Sequence, residues 1–239
     1  MNLCRNILLF AFICVFSSSA QENNLHHQSS TYQWPTDPSV KAKLDKWEDQ
    51  KFGILIHWGL YSVPGIVESW SLCSEPWVDR DSTKTYDEYK QWYWGLKKDF
   101  NPVKFNPEQW AQAAKEAGMR YVVFTTKHHD GFCLFDTKQT DFNIATGPFA
   151  SNPRADVAKY VFQAFRNQGF MIGAYFSKPD WHSQDFWWSK YATPDRNVNY
   201  DIRKYPWRWN HFKQYTYNQI KELMNSYGSI DILWLDGGW

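Results

Sequence analysis

The chain has 239 residues, enough for one ordinary domain, and its 43% hydrophobic content excludes a disordered protein. Its 26 basic and 25 acidic residues nearly cancel, so no field gathers nucleic acid or an anionic membrane; the expected partner is a neutral small molecule.

The chain opens with an apolar run, Asn6 to Phe16, behind Arg5. Ser18, Ser19 and Ala20 then offer small residues for cleavage before Gln21, so residues 1–20 read as a secretory signal. The run is short for the roughly 30 Å of hydrocarbon a spanning helix must cross, so no membrane span is expected and the mature protein is placed outside the cell or in the periplasm. Cys4 and Cys14 leave with the signal, and Cys73 and Cys133 stay as the one pair available for a disulfide. A polar lead, 21–33, precedes the domain at 34–239.

Four apolar runs follow, each continuous as in strands covered on both faces: Phe52–Ile56, Tyr121–Thr125, Phe170–Tyr175 and Ile230–Leu235. Helix patterns separate them. Pro107–Ala117 begins with proline and ends at Gly118; Ala155–Gln168 and Trp209–Tyr227 carry apolar residues at helical spacing and also end at glycines. The alternation predicts a parallel sheet, in a doubly wound fold or a (β/α)8 barrel. No glycine-rich phosphate loop follows a strand, which argues against a nucleotide site. One long connection, Pro64–Pro107, carries Trp70, Trp77, Trp92 and Trp94 and is expected to shape a pocket, and Lys190–Pro206 forms a second insertion rich in Tyr, Asn and Asp.

Polar groups gather at the strand ends: His57, then His128 and His129, then Tyr175, then Asp236 before Gly237-Gly238. Convergence of side chains from several strand ends is how barrel enzymes build a site. Asp236 suits a nucleophile, with Trp234 and Trp239 bracketing it to dry the carboxylate, although a turn or cap role is open to it too. The histidines suit neutral hydrogen bonding to sugar hydroxyls, and the 15 tryptophans suit stacking on a sugar as well as plain packing. Zinc is disfavoured because neither H-x-H nor H-E-x-x-H occurs. Asp130, before Gly131, reads as a turn residue; Asp180 is ambiguous. Glu68, Glu75 and Asp79 lie in the long connection with nothing to choose among them.

Three motifs, Phe52-Gly-Ile-Leu-Ile-His-Trp-Gly-Leu-Tyr-Ser-Val-Pro-Gly65, Thr125-Thr-Lys-His-His-Asp-Gly-Phe132 and Trp234-Leu-Asp-Gly-Gly-Trp239, together resemble the α-L-fucosidases of glycoside hydrolase family 29. The resemblance extends from about Trp34 to the end of the chain. It implies a retaining exo-hydrolase of terminal α-L-fucose on a (β/α)8-like barrel, of which roughly the first half is present. Asp236 then falls on the nucleophile, and His57, His128 and His129 on the residues that hold fucose hydroxyls. Tyr175 falls near the reacting carbon and Trp70 in the sugar pocket, although this loop reads Glu68-Ser-Trp70 where many members place Glu directly before Trp.

The implied partner is a fucosylated oligosaccharide or glycoconjugate, with no cofactor. The acid/base carboxylate of the family lies downstream of the nucleophile, beyond Trp239. The chain is therefore expected to be the front of a longer protein, with little hydrolysis of natural glycosides by itself. The rival expectation is a non-catalytic fucose-binding remnant.

Overall fold

The computed structural model describes residues 31, 33–73, 75 and 77–238; the signal-like segment, most of the polar lead and Trp239 lie outside the described residues. The chain divides into two units, Met1–Leu44 and Asp45–Trp239. In the first, Asp37 accepts a hydrogen bond from Ser39 N at 2.7 Å as the backbone enters helix α1 (Pro38–Glu48), which runs across the boundary and buries none of its residues.

The second unit runs β1 (Gly53–Ile56), α2 (Tyr86–Gly95), α3 (Pro107–Glu116), β2 (Tyr121–Lys127), α4 (Val157–Asn167), β3 (Met171–Ser177), α5 (Pro206–Ser226) and β4 (Ile232–Asp236). The strands form one parallel sheet in the order β1-β2-β3-β4. A doubly wound sheet reverses direction at a switch point, whereas here every new strand adds on the same side, as in a barrel. The architecture is therefore a parallel α/β sheet that forms part of a (β/α)8 barrel.

Helix starts follow local chemistry. Asn106 caps α3 by accepting from Gln109 N at 3.1 Å, with Pro107 in the first turn, where a missing N–H costs nothing. α4 buries Val157, Ala158, Val161, Phe162, Ala164 and Phe165 along one stripe, which packs on the sheet. The sequence pattern missed α1 and α2. The second of these sits in the Pro64–Pro107 connection behind a capping box, in which Thr85 accepts from Glu88 N and Glu88 from Thr85 N.

The expectation that all four strands are covered on both faces holds only for β2 and β3. In β1 and β4, Leu55, Trp234 and Leu235 are each more than 40% exposed. Among the described residues each of these two strands has a ladder neighbour on one side only, which leaves its outer side open to solvent. β3 approaches β2 so closely that a Cβ on Gly173 would lie 2.8 Å from Val122 O. Cys73 and Cys133 are both buried as free thiols and do not pair. Burial pushes the Cys73 thiol up to about 11 and raises Cys133 as well, which makes both chemically quiet.

Candidate active site

The strand register brings the chemistry to one end of the sheet. Ile56 lies beside Phe124, so His57 stands next to Thr125; Ser177 lies beside Asp236, so Tyr175, Ser177 and Asp236 share one corner. The β2–β3 register slips between Thr125 and Lys127, and the chain then turns through His128 and His129. His57, His128, His129, Trp70, Tyr175 and Asp236 all meet there. Ring centroids are 5.3 Å apart for His57–His128, 4.5 Å for His128–His129, 4.7 Å for His57–Tyr175 and 4.9 Å for Trp70–His129.

Asp236 ends β4 with its side chain about a third exposed. Its Oδ2 accepts from the Tyr175 hydroxyl at 2.5 Å and lies 3.6 Å from His129 Nε2, while Oδ1 accepts from Gly237 N at 2.6 Å. Donors thus orient the carboxylate, and of the two tryptophans expected to dry it only Trp234 can be placed. Trp234 is 48% exposed, and Trp239 lies outside the described residues. Burial, followed by the hydrogen bond to Asp236, raises the Tyr175 phenol, so Tyr175 stays a donor at neutral pH.

Hydroxyls fix the histidine tautomers. Thr125 Oγ1 donates to Ile56 O at 3.0 Å, so it must accept from His57 Nδ1–H, and the lone pair of His57 Nε2 faces the cleft. Ser177 does the same for His129: its hydroxyl donates to Pro179 O at 3.2 Å and accepts from Nδ1–H. His128 Nδ1 is held by Ser69 Oγ at 2.5 Å. Burial lowers His57 and His129, the latter well below the usual histidine range, so both rings are neutral at pH 7.

The acid that the sequence could not single out is Glu68. It lies 3.7 Å from His57 Nε2 and 3.4 Å from His128 Nε2, and accepts from Trp70 Nε1 at 3.0 Å. Hydrogen bonding to His128 lowers its carboxyl, so Glu68 is ionised at neutral pH. Its backbone sits at φ 43°, in the left-handed region that costs a non-glycine residue about 1 kcal/mol or more. Of the other acids in that connection, Glu75 instead pairs with Arg196 at 2.8 Å.

Behind the histidines lies a buried polar support. Asp130 accepts from Phe132 N, as its turn role requires, and from Tyr93 OH at 2.8 Å. Asp180 Oδ2 lies 3.3 Å from Lys127 Nζ and accepts from Tyr215 OH at 3.0 Å, while Trp181 N donates to His129 O at 2.8 Å. Gly131 must be glycine: its φ is 83°, and a Cβ would meet Asp180 Oδ1 at 2.2 Å. On the far side of the Gly237–Gly238 turn is a mostly apolar cavity of about 550 Å³ lined by Phe186, Trp209 and Phe212. No carboxylate lines it, so the chemistry belongs to the histidine side.

The α-L-fucosidase family profile matches residues 19–239. The chain belongs to the α-L-fucosidase family. Among curated relatives, a putative α-L-fucosidase of Caenorhabditis elegans is 32% identical over 90% of this chain and 42% of its own length. Human plasma α-L-fucosidase is 31% identical over 87% of this chain and 43% of its own length. Among solved structures, α-L-fucosidase isoenzyme 1 from Paenibacillus thiaminolyticus superposes with a TM-score of 0.65 at 34% identity, covering 83% of this chain and 44% of that one. A Bacteroides thetaiotaomicron family 29 fucosidase, trapped as a covalent intermediate in complex with 2-fluoro-fucosyl fluoride, gives 0.64 at 30% identity, covering 88% and 44%. This family member thus spans less than half the length of these two curated relatives.

Proposed function

We propose that this chain carries the nucleophile and much of the sugar pocket of a retaining α-L-fucosidase acting on terminal α-L-fucose of fucosylated glycans. The observation that carries the proposal is Asp236. It is a carboxylate at a strand tip, oriented by Tyr175 and Gly237, with the neutral His129 ring 3.6 Å away and the neutral His57 ring nearby on Thr125. A neutral imidazole facing a carboxylate, twice over, is a site rich in acceptors and short of donors. Sugar hydroxyls supply donors without charge, and an anionic ligand would be repelled. Trp70, with its indole N–H bound to Glu68, offers a ring for the apolar edge of the sugar.

In the first step an Asp236 oxygen attacks the anomeric carbon, the glycosidic bond breaks and a glycosyl ester forms; water then cleaves the ester. Protonation of the leaving oxygen requires a carboxylic acid, and Glu68 is held ionised by His128, so it suits hydroxyl binding rather than acid catalysis. The family resemblance puts the acid downstream of Asp236 in the family's chain order. A relative trapped covalently with 2-fluoro-fucosyl fluoride supports the same two-step chemistry. The signal-like residues 1–20 support an exported protein; among the described residues no helix is long and apolar enough to cross a membrane.

The test is incubation with 2-fluoro-fucosyl fluoride, whose leaving group needs little acid help, followed by peptide mass spectrometry. One sugar mass on the Asp236 peptide, absent in Asp236→Asn, is expected. Fucose binding without labelling would instead establish the binding remnant.

A further inference from the structure

We propose that His57, Glu68 and His128 form a three-ligand site for a zinc-class divalent cation, which closes the sugar pocket when filled. The three residues come from three places: the end of β1, the following connection and the end of β2. Glu68 Oε1 lies 3.7 Å from His57 Nε2, Glu68 Oε2 lies 3.4 Å from His128 Nε2, and each residue offers a ligand atom within 4.8 Å of the other two. A tetrahedral zinc ion with bonds of roughly 2.0–2.1 Å holds its ligand atoms about 3.3 Å apart, so small side-chain shifts seat the ion.

Two of the three donors are chemically ready, and His128 Nε2, which bonds Glu68 in the metal-free site, gives up its proton as the ion binds. The Thr125 hydroxyl fixes the His57 tautomer with its Nε2 lone pair free to coordinate, and Ser69 holds the opposite nitrogen of His128. Such partners on the second nitrogen are what orient metal-binding imidazoles. Trp70 Nε1 fixes the carboxylate from outside, and Glu68 supplies one negative charge. Glu68 and His57 are part-exposed, which gives the ion a way in and leaves its fourth position open to the cleft.

The spacing argument against zinc concerns ligands borne by one helix or strand, and here no two ligands share an element. The neutral sugar and the ion want the same lone pairs, so they exclude each other. The metal site itself does not depend on the hydrolytic reading, because the ion is detected without any sugar.

The experiment uses the whole chain, stripped with chelator and then dialysed against zinc, with metal counted per protein. Cobalt(II) serves as a visible-absorption probe of tetrahedral coordination. One equivalent is expected, together with a tetrahedral cobalt spectrum that L-fucose abolishes. Glu68→Gln should weaken binding at least about tenfold, as loss of one charged ligand implies. A joint His26→Ala and His27→Ala variant should keep it, which separates this cluster from the adjacent histidines near the N-terminus. Circular dichroism checks that Glu68→Gln remains folded, and His128→Asn serves if it does not. Absence of bound metal, or binding that survives both Glu68→Gln and His128→Asn, would overturn the site. A cobalt spectrum unmoved by saturating fucose would overturn the exclusion. Failure of fluorosugar labelling with the metal result intact would count against the fucosidase proposal alone.

Discussion

Thr125→Val tests the link between fold and pocket most directly, because valine keeps the shape and removes one oxygen. In the parent chain that oxygen donates to Ile56 O at 3.0 Å and accepts from His57 Nδ1–H. Losing it strands a ring N–H whose side chain is 22% exposed, so water recovers part of the loss. A made hydrogen bond contributes about 1 kcal/mol and a stranded buried group costs about 1–3 kcal/mol; partial exposure puts the total near 1–2 kcal/mol. For a chain of this size that is roughly 2–8 °C in Tm.

The sharper consequence concerns the proton. With the acceptor gone, the His57 proton is better placed on Nε2, facing Glu68 Oε1 at 3.7 Å. A preference of about 1.4 kcal/mol is tenfold in population, so the tautomer should invert. Long-range proton–nitrogen NMR of the imidazoles reads this without any activity. The parent should display His57 as the Nδ1–H form and Thr125→Val as the Nε2–H form. Thr126→Val is the control, since it loses a bond to Tyr175 O at 2.7 Å and leaves His57 alone. A parent chain in the Nε2–H form, or a variant with an unchanged tautomer, would refute the proposed tautomer and with it the acceptor-rich pocket.

Acid should unfold the protein in two stages. His57, His129 and His182 are lowered by burial, so the unfolded chain takes up protons first, and stability present above pH 6.5 falls as pH drops below it. Glu68 is lowered from 4.5, so its contribution disappears only below that pH. A melting series from pH 8 to 4 should therefore slope downward from about 6.5, and His129→Gln should flatten it; equal slopes would contradict the buried-histidine account. Lys127→Met leaves the Asp180 carboxylate buried beside Tyr215, at a cost near 3 kcal/mol, or about 6–12 °C in Tm, and adding Asp180→Asn should recover part of it. At position 68, where φ is 43°, Glu68→Gly should be more stable in urea melts than Glu68→Ala by about 1 kcal/mol; the reverse order would deny the strain.

Most of the sheet was legible because a buried parallel strand is written as an uninterrupted apolar run. β2 and β3 match their runs closely, and the helix before each of them matches its glycine stop. The alternation alone could not choose between a doubly wound sheet and a barrel; the polar strand ends and the family resemblance pointed to the barrel, and the strand order agrees. α2 was missed because its aromatic residues hide any helical stripe, although Thr85 and Glu88 spell a capping box. The exposure of Trp234 and Leu235 was not legible either, because an apolar run records what a strand is made of and not how many neighbours it has.

The site was legible where a strand end specifies it and illegible where a loop does. His57, His128 and His129 follow strands, Asp236 ends one and Tyr175 lies two residues from the end of β3, so strand geometry brings them together. Glu68 enters from a connection that sequence leaves open, and three contacts select it: the His57 and His128 nitrogens and the Trp70 indole. Ser69 stands between Glu68 and Trp70 and binds His128, so the residue that departs from the usual Glu-Trp pair is itself built into the pocket. The strained backbone at Glu68 adjoins this contact: Ser69 holds His128 while the positive φ one residue earlier accompanies a carboxylate turned over the histidines. Replacing Ser69 with alanine should release both constraints, loosening Glu68 and His128 together rather than either alone.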